Sequence, residues 1–354
     1  MTLRSRRAGT VASAPGARRG RGGAWVWAAC AVAVGAFAPR LAGQEPAAAQ
    51  PGGTIQQDYI RSRSLGAEKL YVVYLPPSYA TSAPRRYPVA YYLHGARGSE
   101  VDWVRSGHVD TVMDSLISAG MPEMIVVMPD GDDGFYTTWA PRYDRLACPL
   151  RTDLREPAER YCVGSPRYDE YIAQELVRHI DATYRTIPDA AHRGVAGLSM
   201  GGYGAMALAA RYPGVWSAAA SHSGALSLLA LRADSASGTI ERAPGLAAAW
   251  QSRAPELGTI LNAVFGPDSA EWWARDPVRL LARLAASDRA RVPALFVDVG
   301  TDDLFLQQNR AFHIEVAALG LPLEYREHPG AHDWTYWRAH VGESLSWLAL
   351  HIAR

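Results

Sequence analysis

"AGLSMGGYGA", residues 196–205, sets one serine among glycines. The apolar run Gly194 to Leu198 precedes it as a buried strand would. Tyr203 to Tyr212 follows as a helix that Pro213-Gly214 ends. The turn between them, Gly197-Leu198-Ser199-Met200-Gly201, is a G-x-S-x-G pattern. A strand that turns directly into a helix forces disfavoured backbone angles on the serine, and glycines two before and two after it keep neighbouring chain clear. The helix N-terminus then favours negative charge beside Ser199 Oγ. An ordinary glycine-rich strand-to-helix loop is the alternative, and it would need no partners. A nucleophile needs a base and an orienting acid.

In a sheet of this kind those partners follow in the chain order serine, acid, histidine. The strand-like run Ala294 to Val299 ends in Gly300-Thr301-Asp302-Asp303, which puts two carboxylates at a strand's carboxyl edge. After one more helix and strand comes "EHPGAHDW", residues 327–334, with His328 and His332. His332 follows the turn residues Pro329-Gly330 as a loop-borne base would, whereas His328 belongs to the strand end. Asp302 and Asp303 are adjacent and point in different directions, so only one can face the imidazole; Asp298, within the strand, reads as structural. The remaining histidines, His340 among them, read as surface, loop or packing residues. An oxyanion hole needs two backbone N–H groups. Met200, directly after the serine, supplies one. The loop His94-Gly95-Ala96-Arg97-Gly98 has small residues that let backbone approach a substrate, and Ala96 is the expected second donor.

Working outward, strand-like runs recur at Leu70 to Leu75, Val89 to Leu93, Met124 to Met128, Ser217 to Ser221 and Leu323 to Arg326. Segments with helical spacing, such as Tyr171 to Tyr184 and Gln308 to Leu319, lie between most of them. This alternation predicts an α/β fold with a mostly parallel sheet covered on both faces. Two long segments interrupt it, Gly131 to Ser165 and Leu226 to Ala286, and are expected to emerge beside the site. Trp103, Trp139, Trp334 and Trp337 are candidates for an aromatic pocket wall.

The 354 residues, 48% hydrophobic and 20% charged, suffice for one large domain. Its start is different in kind. No acidic residue precedes Glu45, and arginines 4, 6, 7, 18, 19 and 21 lead into an apolar run from Ala24 to Ala38. That pattern predicts an export signal over residues 1–43, with cleavage between 43 and 49 and a linker over 44–54. The folded domain is expected over 55–354. The run is too short for a comfortable membrane span. Removing residues 1–43 takes away seven arginines and turns the formal charge from +1 to −6. The basic balance therefore belongs to targeting and not to nucleic-acid binding. The export reading predicts a periplasmic or secreted protein, in which Cys148 and Cys162 can form a disulfide worth on the order of 3 kcal/mol. Two cysteines cannot build a metal site by themselves.

The chain resembles the esterase D group of α/β hydrolases, which includes S-formylglutathione hydrolases, feruloyl and acetylxylan esterases and the antigen 85 mycolyltransferases. The resemblance rests on "SLGAEKLYVVYLPPSY", "YYLHGARGSEVDW", "MPDGDDGFYTTW", "YIAQELVRHIDATYRT", "GLSMGGYGAM", "FVDVGTDDLFLQQNRAF" and "HPGAHDWTYW", in family order. It implies an α/β-hydrolase fold, with Ser199 as nucleophile, Asp303 as acid, His332 as base, and Ala96 and Met200 as oxyanion donors. It implies hydrolysis of a small-molecule or carbohydrate-linked ester through an acyl-enzyme, with no metal or organic cofactor. The chain departs from the group in "RLACPLRTDLREPAERYCVGSP", which is longer and more charged. Acyl transfer, thioester hydrolysis and non-catalytic binding are the other functions this framework can carry.

Overall fold

The computed structural model describes residues 52–140, 166–227, 230–234, 239–243, 255–266 and 268–353. The expected export signal, Cys148 and Cys162 lie outside the described residues. Among the described residues there are ten strands: β1 (Thr54–Ser62), β2 (Ala67–Leu75), β3 (Val89–Leu93), β4 (Ile125–Pro129), β5 (Arg193–Leu198), β6 (Ala218–His222), β7 (Ala230–Asp234), β8 (Thr239–Ala243), β9 (Ala294–Gly300) and β10 (Glu324–His328). Eight of them form one sheet in the order β1-β2-β4-β3-β5-β6-β9-β10, and β7 and β8 make a separate hairpin. From β4 through β10 every pairing is parallel, while β2 runs antiparallel to both β1 and β4. This is the α/β-hydrolase fold.

The central strands are buried on both faces, which is why they read as continuous apolar runs. In β3, Val89, Tyr91 and Leu93 enter one apolar cluster, and Ala90 and Tyr92 enter the cluster on the other face. In β4, Ile125 and Val127 join the first cluster, and Val126 and Met128 the second. Side chains that alternate across a pleated strand give this division directly. β1 is the strand that no apolar pattern announces. Its sequence, TIQQDYIRS, is exposed over the first six residues because it forms the sheet edge. The chain docks even before it, since Gly53 N–H donates to Asp114 Oδ1 at 2.7 Å.

Met200–Arg211 is a helix that starts three residues earlier than the apolar pattern suggests, with Ser199 O already accepting the Tyr203 N–H. It is buried along nearly its whole length, so small residues replace the usual amphipathic stripe. Beyond the hairpin, the long segment after β6 folds into helices Pro255–Phe265, Ser269–Arg275 and Pro277–Ser287. Asp268 caps the second by accepting Ala270 N–H, and Asp276 caps the third by accepting the N–H groups of Val278 and Arg279, with Pro277 opening the helix. The last element is the helix Trp334–Ile352, capped by Asp333.

Candidate active site

Ser199 sits between β5 and the helix Met200–Arg211 at φ 53° and ψ −115°, a conformation rarely adopted by a residue with a Cβ. Neighbouring glycines make it attainable. A Cβ on Gly197 would come within 2.4 Å of Gly201 backbone, and one on Gly201 within 2.3 Å of Leu93 O. The strained turn is held by its own peptide groups. Ser199 N–H donates to His222 O at 2.9 Å, and Ala225 N–H donates to Ser199 O at 3.1 Å.

His332 reaches the serine from the loop after β10. Its Nε2 lies 3.0 Å from Ser199 Oγ, and its Nδ1 lies 2.9 Å from Asp303 Oδ2 and 3.0 Å from Asp303 Oδ1. The Asp303 carboxylate is fully enclosed and also accepts the Phe305 N–H at 2.7 Å. Asp302 is exposed, and the carboxylate beside the imidazole is that of Asp303. Phe305 and Trp337 meet the His332 ring edge-on, at centroid distances of 5.0 and 4.9 Å, and so limit its rotation. The acid and base loops are tied together, since Asp302 N–H donates to Gly330 O and Thr301 N–H to His328 O, both at 2.8 Å.

Ala96 lies on the loop after β3, and Met200 is the first residue of the elbow helix. Neither N–H donates to an acceptor among the described residues. The loop is positioned from beneath by buried charges. Lys69 Nζ lies 2.5 Å from Asp130 Oδ2 and 2.8 Å from Asp132 Oδ1, and Tyr168 OH donates to Asp132 Oδ2 at 2.5 Å. Gly131 N–H donates to His94 Nε2 at 2.9 Å, which leaves Nδ1 to carry the proton and donate to Gly95 O at 2.8 Å. Burial, and next to it the Asp130 charge, push the Asp132 carboxyl up to about 6. Burial works the same way on Asp130, but Lys69 and His94 together outweigh it and hold that carboxyl below the ordinary range. Sequence reading does not reach this network, because Lys69 and the Asp130-Gly131-Asp132 turn meet only through the β2–β4 pairing.

A cavity of about 350 Å³ opens over the serine. Ser199, His332, Ala96, Phe305, Trp334 and Trp337 are among its lining residues. Trp103 and Trp139 do not line it, which corrects their expected place in the pocket wall. Trp103 is fully buried, donates its indole N–H to Leu93 O at 3.0 Å and backs Trp334 edge-on. Trp139 donates to Gly134 O at 3.3 Å and packs beside Tyr168. Phe305 and exposed Leu304 take part instead. Their signal in the sequence is only their position directly after Asp303.

A second set of the same residue types lies under the first. His222 Nδ1 is 2.7 Å from Asp298 Oδ2, His222 Nε2 is 2.7 Å from Ser344 Oγ, and all three side chains are buried. Tyr336 OH donates to Asp298 Oδ1 at 3.2 Å. Sealed from solvent, this set can brace β6, β9 and the last helix but cannot meet a substrate.

The family model described as "Putative esterase" matches residues 62–348. An esterase of Mycobacterium tuberculosis is 30% identical over 275 residues, covering 73% of this chain and 51% of the relative. The chain thus spans about half the length of the first curated relatives it matches. An acetyl esterase of Caldicellulosiruptor saccharolyticus is 20% identical over 260 residues, covering 73% of this chain and 82% of the relative. Among solved structures, a ferulic acid esterase superposes with a TM-score of 0.64 at 26% identity, covering 85% of this chain and 99% of that one.

Proposed function

The chain belongs to this esterase family, and from that premise we propose that it is an exported serine carboxylic ester hydrolase working through Ser199, His332 and Asp303. The observation that carries the reading is the unbroken line of contacts from Asp303 through His332 to Ser199 Oγ at the floor of an accessible cavity. His332 Nε2 takes the Ser199 proton as Oγ attacks the ester carbonyl, and Asp303 keeps the imidazole in the tautomer that leaves Nε2 free to accept. Negative charge develops on the carbonyl oxygen, where the Ala96 and Met200 N–H groups and the helix N-terminus stabilise it. His332 then returns the proton to the leaving alcohol. Water, activated by the same imidazole, releases the acid from the acyl-serine. The aromatic side of the cavity, Phe305, Trp334 and Trp337, suits small-molecule or carbohydrate-linked esters with a planar or apolar acyl group.

Ser199→Ala tests the reading. It should leave the fold intact and reduce turnover of p-nitrophenyl acetate to less than about a thousandth of the parent rate. Activity above that level assigns the nucleophile elsewhere. A series of acetate, butyrate and longer esters, with and without an added alcohol acceptor, distinguishes hydrolysis from acyl transfer. Export and the Cys148–Cys162 bridge belong to the same proposal. N-terminal sequencing of the extracytoplasmic protein checks the first, and thiol titration of the unfolded protein without reductant checks the second.

A further inference from the structure

A second group of chemistry-bearing side chains lies where β10 meets the last helix, and the proposed ester hydrolysis does not use it. His328 ends β10, and His340 and Glu343 lie one turn apart on Trp334–Ile352. The two imidazoles are stacked, with centroids 4.1 Å apart and planes 12° apart. His340 Nδ1 lies 2.9 Å from Glu343 Oε1, and His328 Nε2 lies 3.3 Å from Glu343 Oε2. One ligand atom from each residue falls within 4.8 Å of the others. His328 Nε2 is buried and makes no hydrogen bond among the described residues. The three side chains are 26%, 18% and 27% exposed, so water can reach the group.

We propose that His328, His340 and Glu343 bind one late first-row divalent cation, with water completing the shell. Two imidazoles, borderline nitrogen donors, joined by one carboxylate suit zinc(II) or its neighbours, whereas calcium and magnesium ask for oxygen throughout. A tetrahedral zinc with bonds of about 2.0 to 2.1 Å holds its ligand atoms about 3.4 Å apart, close to the two separations already present. Closure requires the imidazoles to rotate out of their stack. It also requires Arg326 to yield, because its Nη1 lies 2.5 Å from Glu343 Oε2. Arg326 has a second carboxylate to turn to, since it already pairs with Glu324. Its guanidinium is therefore a resident competitor for the same oxygen. A bound cation would clamp β10 to the last helix directly before the loop that carries His332, without touching Ser199.

Zinc titration of the metal-freed full chain by calorimetry, with cobalt(II) absorption as a second probe, tests the site. The parent should take up one equivalent and melt at a higher temperature with zinc present. His340→Gln and Glu343→Gln should each weaken binding by about tenfold or more and abolish the thermal shift. Arg326→Gln should bind zinc more tightly than the parent, a gain that misfolding does not produce. His332→Gln should bind as the parent does. The proposal is overturned by absence of saturable binding to the parent, by binding that survives both His340→Gln and Glu343→Gln, by weaker binding in Arg326→Gln, or by loss of binding in His332→Gln.

Discussion

His94 Nδ1 lies 2.8 Å from the Gly95 carbonyl oxygen, which also accepts the Gly98 N–H at 3.0 Å. That carbonyl and the Ala96 N–H belong to one planar trans peptide and point in opposite directions. Holding the oxygen therefore aims the N–H. His94→Ala should lower kcat by about tenfold to a hundredfold with little change in KM, because the lost interaction matters mainly when the oxyanion forms. Steady-state kinetics on acetate esters well below the melting temperature separate this from simple destabilisation. A parallel rise in KM with kcat unchanged would defeat it.

Asp303 and Asp302 differ in surroundings and not in chemistry. Asp303→Asn should reduce kcat by about three to four orders of magnitude, because an amide facing Nδ1 disturbs the tautomer and no longer stabilises the imidazolium. Asp302→Asn should stay near the parent, since that side chain is exposed. Equal losses in the two variants would mean that the exposed carboxylate takes part in the reaction.

Gly201→Ala adds one methyl group facing Leu93 O at 2.3 Å and His94 O at 2.6 Å. Backbone on both sides must move, at a cost of about 1 to 3 kcal/mol or more. The same movement displaces the loop that carries Ala96. Urea unfolding and kcat should both fall; a variant that keeps its stability would show that the elbow helix stands further from β3 than these contacts require.

The buried pair at Lys69 gives a pH dependence with a definite sign. Asp132 carries a carboxyl raised to about 6 in the folded chain, so the folded state holds that proton more tightly than the unfolded state does. Its favourable term is fully present below the ordinary carboxylate value and is lost as pH rises to about 6. Asp130, held low, runs the other way: its term is present above the ordinary value and is lost as pH falls. Asp132→Asn removes the first titration. Relative to the parent, its stability should therefore improve as pH rises from 4 to 7. Urea unfolding of both proteins at the two pH values measures the change, and a pH-independent difference would reject it.

How much of this was legible beforehand depended on whether a feature is local. A buried parallel strand announces itself by its apolar run, and Gly197, Ser199 and Gly201 announce the elbow because Gly197 and Gly201 close on each other within five residues, while the reason Gly201 must also clear Leu93 O on β3 is visible only in the fold. The order Ser199, Asp303, His332 could be read for the same reason: each sits just after a recognisable strand. β1 escaped because an edge strand exposed to water carries no apolar pattern. The choice between Asp302 and Asp303 depended on which carboxylate the turn after β9 directs inward, and only the contact with His332 decides that. Trp103 and Trp334 look equivalent along the chain, yet one is sealed behind the other. The set His222, Asp298 and Ser344 carries the residue types of a hydrolase site but is enclosed by the core. The sequence by itself determined the sheet, the elbow and the kinds of group that could react. Tertiary structure decided which of those groups meet water, because exposure and side-chain direction are set by what packs across the sheet and not by neighbours along the chain.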